Sequence, residues 1–323
     1  MKLLTRKLIF SLKDPPSPSC HASTISLHGD RFYSAWFGGT REGADDVVIW
    51  LSEKEKDGEN WSVPRMISSS RNIPHWNPVL FSFGGKLFLY YKKGFKIPEW
   101  RTFYKALENG VWSEERELVP GDTGGRGAAK NKPVQINGGL ILAPASIEKA
   151  DVPPGEIKWR SYIDVSRDGV NWETLEPIAA DVNLIQPAIW ETNEGAHAFM
   201  RSDAGAVYRS DSNVIGDDAD NSITWSKAYR TALPNNNSGL DAVYTDGCLY
   251  AVYNPVGVNW GKRTPLVVSK SPDNGRTWTE TLTLEDAEGE YSYPSVTEAD
   301  GVLRIVYTYQ RKGVAYAEIG IGE

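Results

Sequence analysis

Two cysteines, Cys20 and Cys248, stand far apart in a chain of 323 residues. Neither a disulfide framework nor a thiolate metal cluster can be built from them. Four histidines are too few for a His-rich centre, and no metal or cofactor is expected. Basic charge is also short: 35 Lys and Arg against 42 Asp and Glu leave a formal net charge of −7. That balance repels phosphate backbones and excludes nucleic acid as a general partner. Long apolar runs are absent, and nothing approaches the roughly 20 residues that span a bilayer, so no membrane partner is expected. The opening MKLLTRKLIFSLKDPP is basic, but Thr5, Arg6 and Lys7 interrupt its apolar run. It lacks the longer apolar stretch and small-residue cleavage site of a secretion signal, so the expected location is cytoplasmic. Long helical stripes are missing too. The length fits two average domains or one large all-β domain.

Tryptophan and tyrosine are abundant, at 12 and 15. The stretch SPDNGRTW (271–278) joins turn residues to a large apolar ring. Asp273 and Asn274 bond nearby backbone amides, Gly275 accepts positive φ, and Trp278 favours burial. The expected result is a turn between two outer strands, with its indole wedged against a neighbouring unit. Looser copies are SRDGVNW (166–172), DGENW (57–61), NGVW (109–112) and DNSITW (220–225), which place Trp61, Trp112, Trp172, Trp225 and Trp278 at intervals of 51–60 residues. Between them recurs an apolar strand, a Gly-containing turn and a second apolar strand. Aligning Ala22, Asn77, Lys132, Gln186, Asp241 and Tyr293 gives six copies 52–55 residues apart. This periodicity predicts an all-β, six-bladed β-propeller of four-stranded blades in a single domain over 1–323. Only three strands remain after Tyr293, so residues 2–12 are expected to supply the last blade's fourth strand and close the ring.

In such a ring the loops entering the first strands converge on a funnel. Cys20–His21, Trp76–Asn77, Asn131–Lys132, Gln186, Asp241 and Tyr291–Tyr293 open the repeats. Arg41 with Glu42, Arg201, Asn254 and Arg311 close the second strands. Cations gathered in an acidic protein point to an anionic ligand held by forked hydrogen bonds; each could also pair with a carboxylate of its own blade.

SxDxGxxW is the Asp-box of the sialidase superfamily. With GGTREGADD, GGRGAAKNKP, NSGLD and EYSYPS, the chain resembles that superfamily's BNR-repeat, sialidase-like (neuraminidase-like) branch over nearly its whole length. The resemblance implies a glycosidase that holds a substrate carboxylate with arginines and attacks the anomeric carbon with a tyrosine. Arg201 matches the second arginine of that clamp and Arg263 the third. Tyr291 matches the nucleophile, with Tyr293 as competitor, and Asp45 or Asp46 matches the acid of the first blade. Two family positions differ. His21 stands where the first arginine is expected, and RNIP (71–74) repeats that arginine's motif in the wrong blade. Gln186 replaces the glutamate that activates tyrosine. Arg126, Lys130 and Lys132 offer further positive charge from blade three. His21 is either a general acid or base, or a hydrogen-bond donor within its strand. Glu42 and Asp46 form a second possible acid–base pair, or part of an acidic loop that binds calcium or is simply solvated.

The implied function is glycoside hydrolysis with removal of a terminal, acidic sugar, in the manner of an exo-α-sialidase. Two alternatives stand beside it: a uronate-directed polysaccharide or oligosaccharide lyase, and a non-catalytic glycan-binding propeller.

Overall fold

Each sequence repeat folds into one antiparallel sheet. The computed structural model describes residues 1–68, 72–137, 139–149, 151–153, 155–213 and 223–322; Arg71 of RNIP and residues 220–222 of the blade-four turn lie outside them. Blade one runs outward through Ser19–His28, Arg31–Gly39, Val48–Glu55 and Arg65–Met66. Blade two has His75–Phe83, Lys86–Lys93, Arg101–Glu108 and Arg116–Glu117, and Val111–Trp112 adds a short pairing to its third strand. Blade three has Val134–Gln135, Ile141–Glu148, Trp159–Ser166 and Glu173–Thr174. Blade four has Leu184–Thr192, Gly195–Ser202, Ala206–Asp211 and Tyr229–Pro234. Blade five has Asp241–Thr245, Cys248–Tyr253, Leu266–Ser271 and Glu280–Glu285. The six blades form a ring in which first strands of neighbouring blades touch. Those strands are largely buried, yet several of their buried residues are polar, among them Ser23, Thr24, Asn77, Gln186, Asp241, Ser292 and Ser295.

Blade six takes Tyr291–Ala299, Val302–Tyr309 and Gly313–Gly320 from the C-terminus and Lys2–Leu8 from the N-terminus. The closing pair is antiparallel, from Lys2 opposite Gly320 to Leu8 opposite Ala315. Lys2, Arg6 and Lys7 make this outer edge charged, which discourages pairing with another chain. Arg6 also reaches Glu285 of blade five at 3.2 Å.

The Asp-box works as its residues suggest. Asp273 accepts from the Thr277 amide at 2.7 Å and its hydroxyl at 2.6 Å, while Asn274 and Gly275 adopt φ of 58° and 82°. Asn274 then accepts from the Trp190 indole of blade four at 2.7 Å. Trp278 is half-buried against Phe199, ring centroids 6.3 Å apart. Trp172 is more deeply set and lies edge-on to Tyr90 of blade two at 6.2 Å. Trp61 meets Tyr316 of blade six at 5.2 Å. In each of these three the indole packs on the preceding blade, which couples neighbours that share no sheet hydrogen bonds.

Strand alternation decides where chemistry can sit. Starts of first strands, ends of second strands and starts of third strands share one face of the ring. The Asp-box turns, between third and fourth strands, lie on the opposite face.

Candidate functional site

On the loop face, four first strands break register at corresponding places: His21/Thr24, Trp76/Val79, Ile185/Ala188 and Ser292/Ser295. Inside each break one residue takes left-handed φ: Ala22 (54°), Asn77 (43°), Gln186 (57°) and Tyr293 (52°). These are aligned residues of the sequence repeat. A left-handed non-glycine costs roughly 1–3 kcal/mol, and a bulge re-aims the side chain that occupies it. Four blades keep the strain at one register position, where it turns side chains toward the ring centre.

Tyr293 is the hub. Arg201 and Arg263 place Cζ 5.8 and 5.5 Å from its ring centroid, Lys130 Nζ lies 6.0 Å away, and the His21 ring lies at 4.2 Å. Arg201 is 3% exposed. Its Nη1 donates to the Tyr293 hydroxyl oxygen at 2.7 Å and to Gln186 Oε1 at 3.1 Å, and its Nε donates to Asn237 at 2.9 Å. Arg263 and Arg311 both donate to Glu290 Oε1 at 2.7 Å, and Arg311 reaches Glu42 at 2.5 Å. Burial pushes the Glu290 carboxyl up, but Arg263, Arg311 and the Ser292 hydroxyl outweigh it and hold the group below the usual range. Three guanidinium groups, an ammonium and a phenol make a site for an anion and a poor one for a cation.

Several residues expected in the funnel are engaged elsewhere. Tyr291 is 2% exposed, packs against Tyr309 at 5.3 Å and accepts from Gln310 at 2.7 Å, so it belongs to the blade-six core. Regular alternation would put Tyr291 and Tyr293 on one face; the bulge at Tyr293 separates them. Arg126 pairs with buried Asp164 at 3.2 Å inside blade three. Lys132 and Asp241 form an ion pair at 2.8 Å across the ring, and Asp241 also accepts from the Val296 amide. Lys130 donates to the carbonyls of Leu240 and Pro294 at 2.7 and 2.5 Å, and burial lowers its pKa to about 7. Asp46 accepts from the Thr40 amide and hydroxyl, closing the 40–46 loop. Asp45 lines a groove on blade one with Pro16, Gly39 and Asn72, which shares no residue with the arginine cluster. Arg41 is exposed. Trp76 donates to the Gly94 carbonyl and packs on Trp100 at 5.0 Å, forming a lip with it.

Next to the cluster, over blades two to four, opens a cavity of about 220 Å³ lined by Asn77, Trp100, Ser146, Glu148, Lys149 and Gln186 among others. Gln186 belongs to both compartments. Glu148 is the last residue of the second strand of blade three, and Arg201 is the last but one of the second strand of blade four, so both lie at the loop-face ends of their strands. Trp260, also unforeseen, is 62% exposed at φ 55°, with Arg201 Cζ 5.9 Å from its ring.

His21 is buried, and its Nδ1 contacts Thr308 Oγ1 at 2.8 Å. Burial first, then Arg311, Arg263, Arg201 and Lys130, hold its pKa well below the ordinary 6.5. The unfolded chain therefore takes up this proton first as pH falls, so His21 withdraws stability below about pH 6.5 and none above it. The imidazole proton resonances of His21 are expected not to titrate between pH 5 and 8 by NMR. A midpoint near 6.5 would contradict the packing around the ring.

A family profile described as a BNR repeat-like domain matches residues 30–305. No curated protein sequence matches the chain. Among solved structures, a Dyadobacter fermentans DSM 18053 protein of unknown function is similar with a TM-score of 0.78 and 14% identity, over 100% of this chain and 99% of that one. The Hadza microbial sialidase Hz136 gives 0.79 and 14%, over 98% and 68%. Trypanosoma rangeli sialidase gives 0.71 and 14%, over 98% and 59%. At such identities the structural likeness is one of fold. With the profile spanning most of the blades, the chain belongs to the BNR repeat-like family and is a sialidase-like propeller.

Proposed function

We propose that this protein is a glycoside hydrolase of the sialidase superfamily that removes a terminal sugar carrying a carboxylate. The observation that carries the reading is Tyr293 held between Arg201 and Arg263, with Arg201 donating to its phenolic oxygen. The arginines hold the sugar carboxylate, and Tyr293 faces the anomeric carbon as nucleophile. Because Arg201 occupies one side of the phenolic oxygen, the hydroxyl proton points away from the guanidinium. The sialidases among the structural neighbours support the substrate class. Gln186 stands where that superfamily has a glutamate, so Tyr293 gives up its proton to another group.

The test is release of sugar from a panel of 4-methylumbelliferyl glycosides: α-N-acetylneuraminide, β-glucuronide, α-galacturonide and α-L-rhamnoside. Hydrolysis of an acidic member, with the rhamnoside untouched, is expected. An ultraviolet-absorbing unsaturated uronate from a uronate oligosaccharide would replace hydrolysis by elimination. Binding without any product would leave a glycan-binding propeller.

A further inference from the structure

Among the described residues, the carboxylates around the arginine cluster have partners, with one exception. Glu42 is held by Arg311, Glu290 by Arg263 and Arg311, Asp241 by Lys132, and Asp46 by Thr40. Glu148 makes no hydrogen bond or ion pair with any described residue, yet it is mostly covered and lines the cavity that shares Gln186 with the cluster. A half-buried carboxylate without a partner lowers stability, and such groups collect where proton transfer is needed.

We propose that Glu148 is the acid–base residue of this site. Its carboxyl proton passes to the glycosidic oxygen as the Tyr293 oxygen, its own proton lost to solvent, bonds to the anomeric carbon and the glycosidic C–O bond breaks with its electron pair leaving on that oxygen. Its carboxylate then takes a proton from the water whose oxygen bonds to the anomeric carbon, while the bond from that carbon to the Tyr293 oxygen breaks and its electron pair returns to the phenolate, which is reprotonated from solvent. The proposal rests on the hydrolase reading above. It assigns to blade three a role that the family resemblance gives to Asp45 or Asp46 in blade one, where Asp46 is engaged by Thr40 and Asp45 lies in a separate groove.

Burial raises the Glu148 carboxyl and Arg201 opposes the rise, with burial the larger effect. The other charged groups lining the cavity are Lys149 and Lys92. The Lys92 ammonium is tied to Thr102 and the carbonyls of Gly125, Arg126 and Gly127, and burial lowers its pKa to about 7. A carboxylic acid in this setting keeps its proton closer to neutrality, as an acid catalyst requires.

The experiment compares wild type with Glu148→Gln on two glycosides of whichever panel sugar is released fastest. The methyl glycoside needs its leaving oxygen protonated; the 4-methylumbelliferyl glycoside does not. Glu148→Gln is expected to lose about 10²–10⁴-fold in kcat/KM on the methyl glycoside and less than about tenfold on the activated one. The basic limb of the pH profile should vanish with it. Retained activity on both glycosides overturns the assignment and leaves the hydrolase reading standing. Equal losses on both make Glu148 a sugar-binding carboxylate and overturn it as well. A wild type that hydrolyses nothing overturns the hydrolase reading, and the assignment falls with it. Glu148 has no hydrogen bond to a described residue to lose, so a melting temperature at or above that of wild type confirms that the variant is folded.

Discussion

Tyr293→Phe should fold like wild type and lose turnover by about 10³-fold or more, because the variant lacks only the oxygen that attacks the anomeric carbon. Tyr291→Phe should behave in the opposite way. Among the described residues its hydroxyl bonds Gln310 alone, so its removal should cost about 0.5–1.5 kcal/mol of stability and leave kcat unchanged. Steady-state kinetics and denaturant melts on the two variants separate the tyrosines, which sit two positions apart in one strand. Near-normal turnover in Tyr293→Phe would remove the nucleophile from the scheme, whatever the arginines bind. A lowered kcat in Tyr291→Phe would place chemistry where the packing leaves no room for a sugar.

Arg263→Met should weaken binding of the anionic sugar product by about 2–5 kcal/mol, a roughly 30-fold to several-thousand-fold rise in Kd. Arg263 is the cleaner probe of the clamp, because Glu290 keeps Arg311 when Arg263 is lost. Arg201→Met removes the partner of buried Asn237 and Gln186 as well as of half-buried Tyr293, so its effect on affinity will be mixed with an effect on folding. Arg126→Met is the control. It should leave affinity unchanged and lower stability by about 3–5 kcal/mol, because Asp164 remains fully buried without its cation. Isothermal titration with thermal melts reads both quantities. An Arg126 variant that loses affinity while Arg263→Met does not would exchange the two roles and refute the site.

The meeting of Arg201 and Arg263 at Tyr293 was anticipated by the family resemblance and, for Arg201, by its place at the end of a second strand. Arg201 closes a second strand and Arg263 opens a third, and in an antiparallel blade both places lie on the same face of the ring. Glu148 occupies the same kind of place in blade three, yet a single glutamate at the end of ILAPASIE looks like any solvated strand end until its neighbours are known. The cationic run of blade three misled for a related reason. Arg126, Lys130 and Lys132 lie within seven residues, but their partners are Asp164, the carbonyls of Leu240 and Pro294, and Asp241. Asp241 lies 109 positions from Lys132, and nothing local signals that such a charge is already neutralised. The family resemblance left Tyr291 and Tyr293 both open, and strand alternation alone does not separate residues two positions apart. That rule holds for a regular strand, and the left-handed turn at Tyr293 is a bulge whose presence no single residue type reports.

The amino-acid sequence alone determined the six-fold repeat, the turn-and-tryptophan device that couples blades, and the closure of blade six by the N-terminal stretch, expected over residues 2–12 and paired over Lys2–Leu8. These follow from local turn chemistry, from apolar periodicity and from a count of strands, all of which act over a few residues. Only the tertiary structure decided which charges are free to meet a ligand. Burial and pairing depend on partners brought together across the ring, and a charge already matched by a buried partner has little left to offer a substrate.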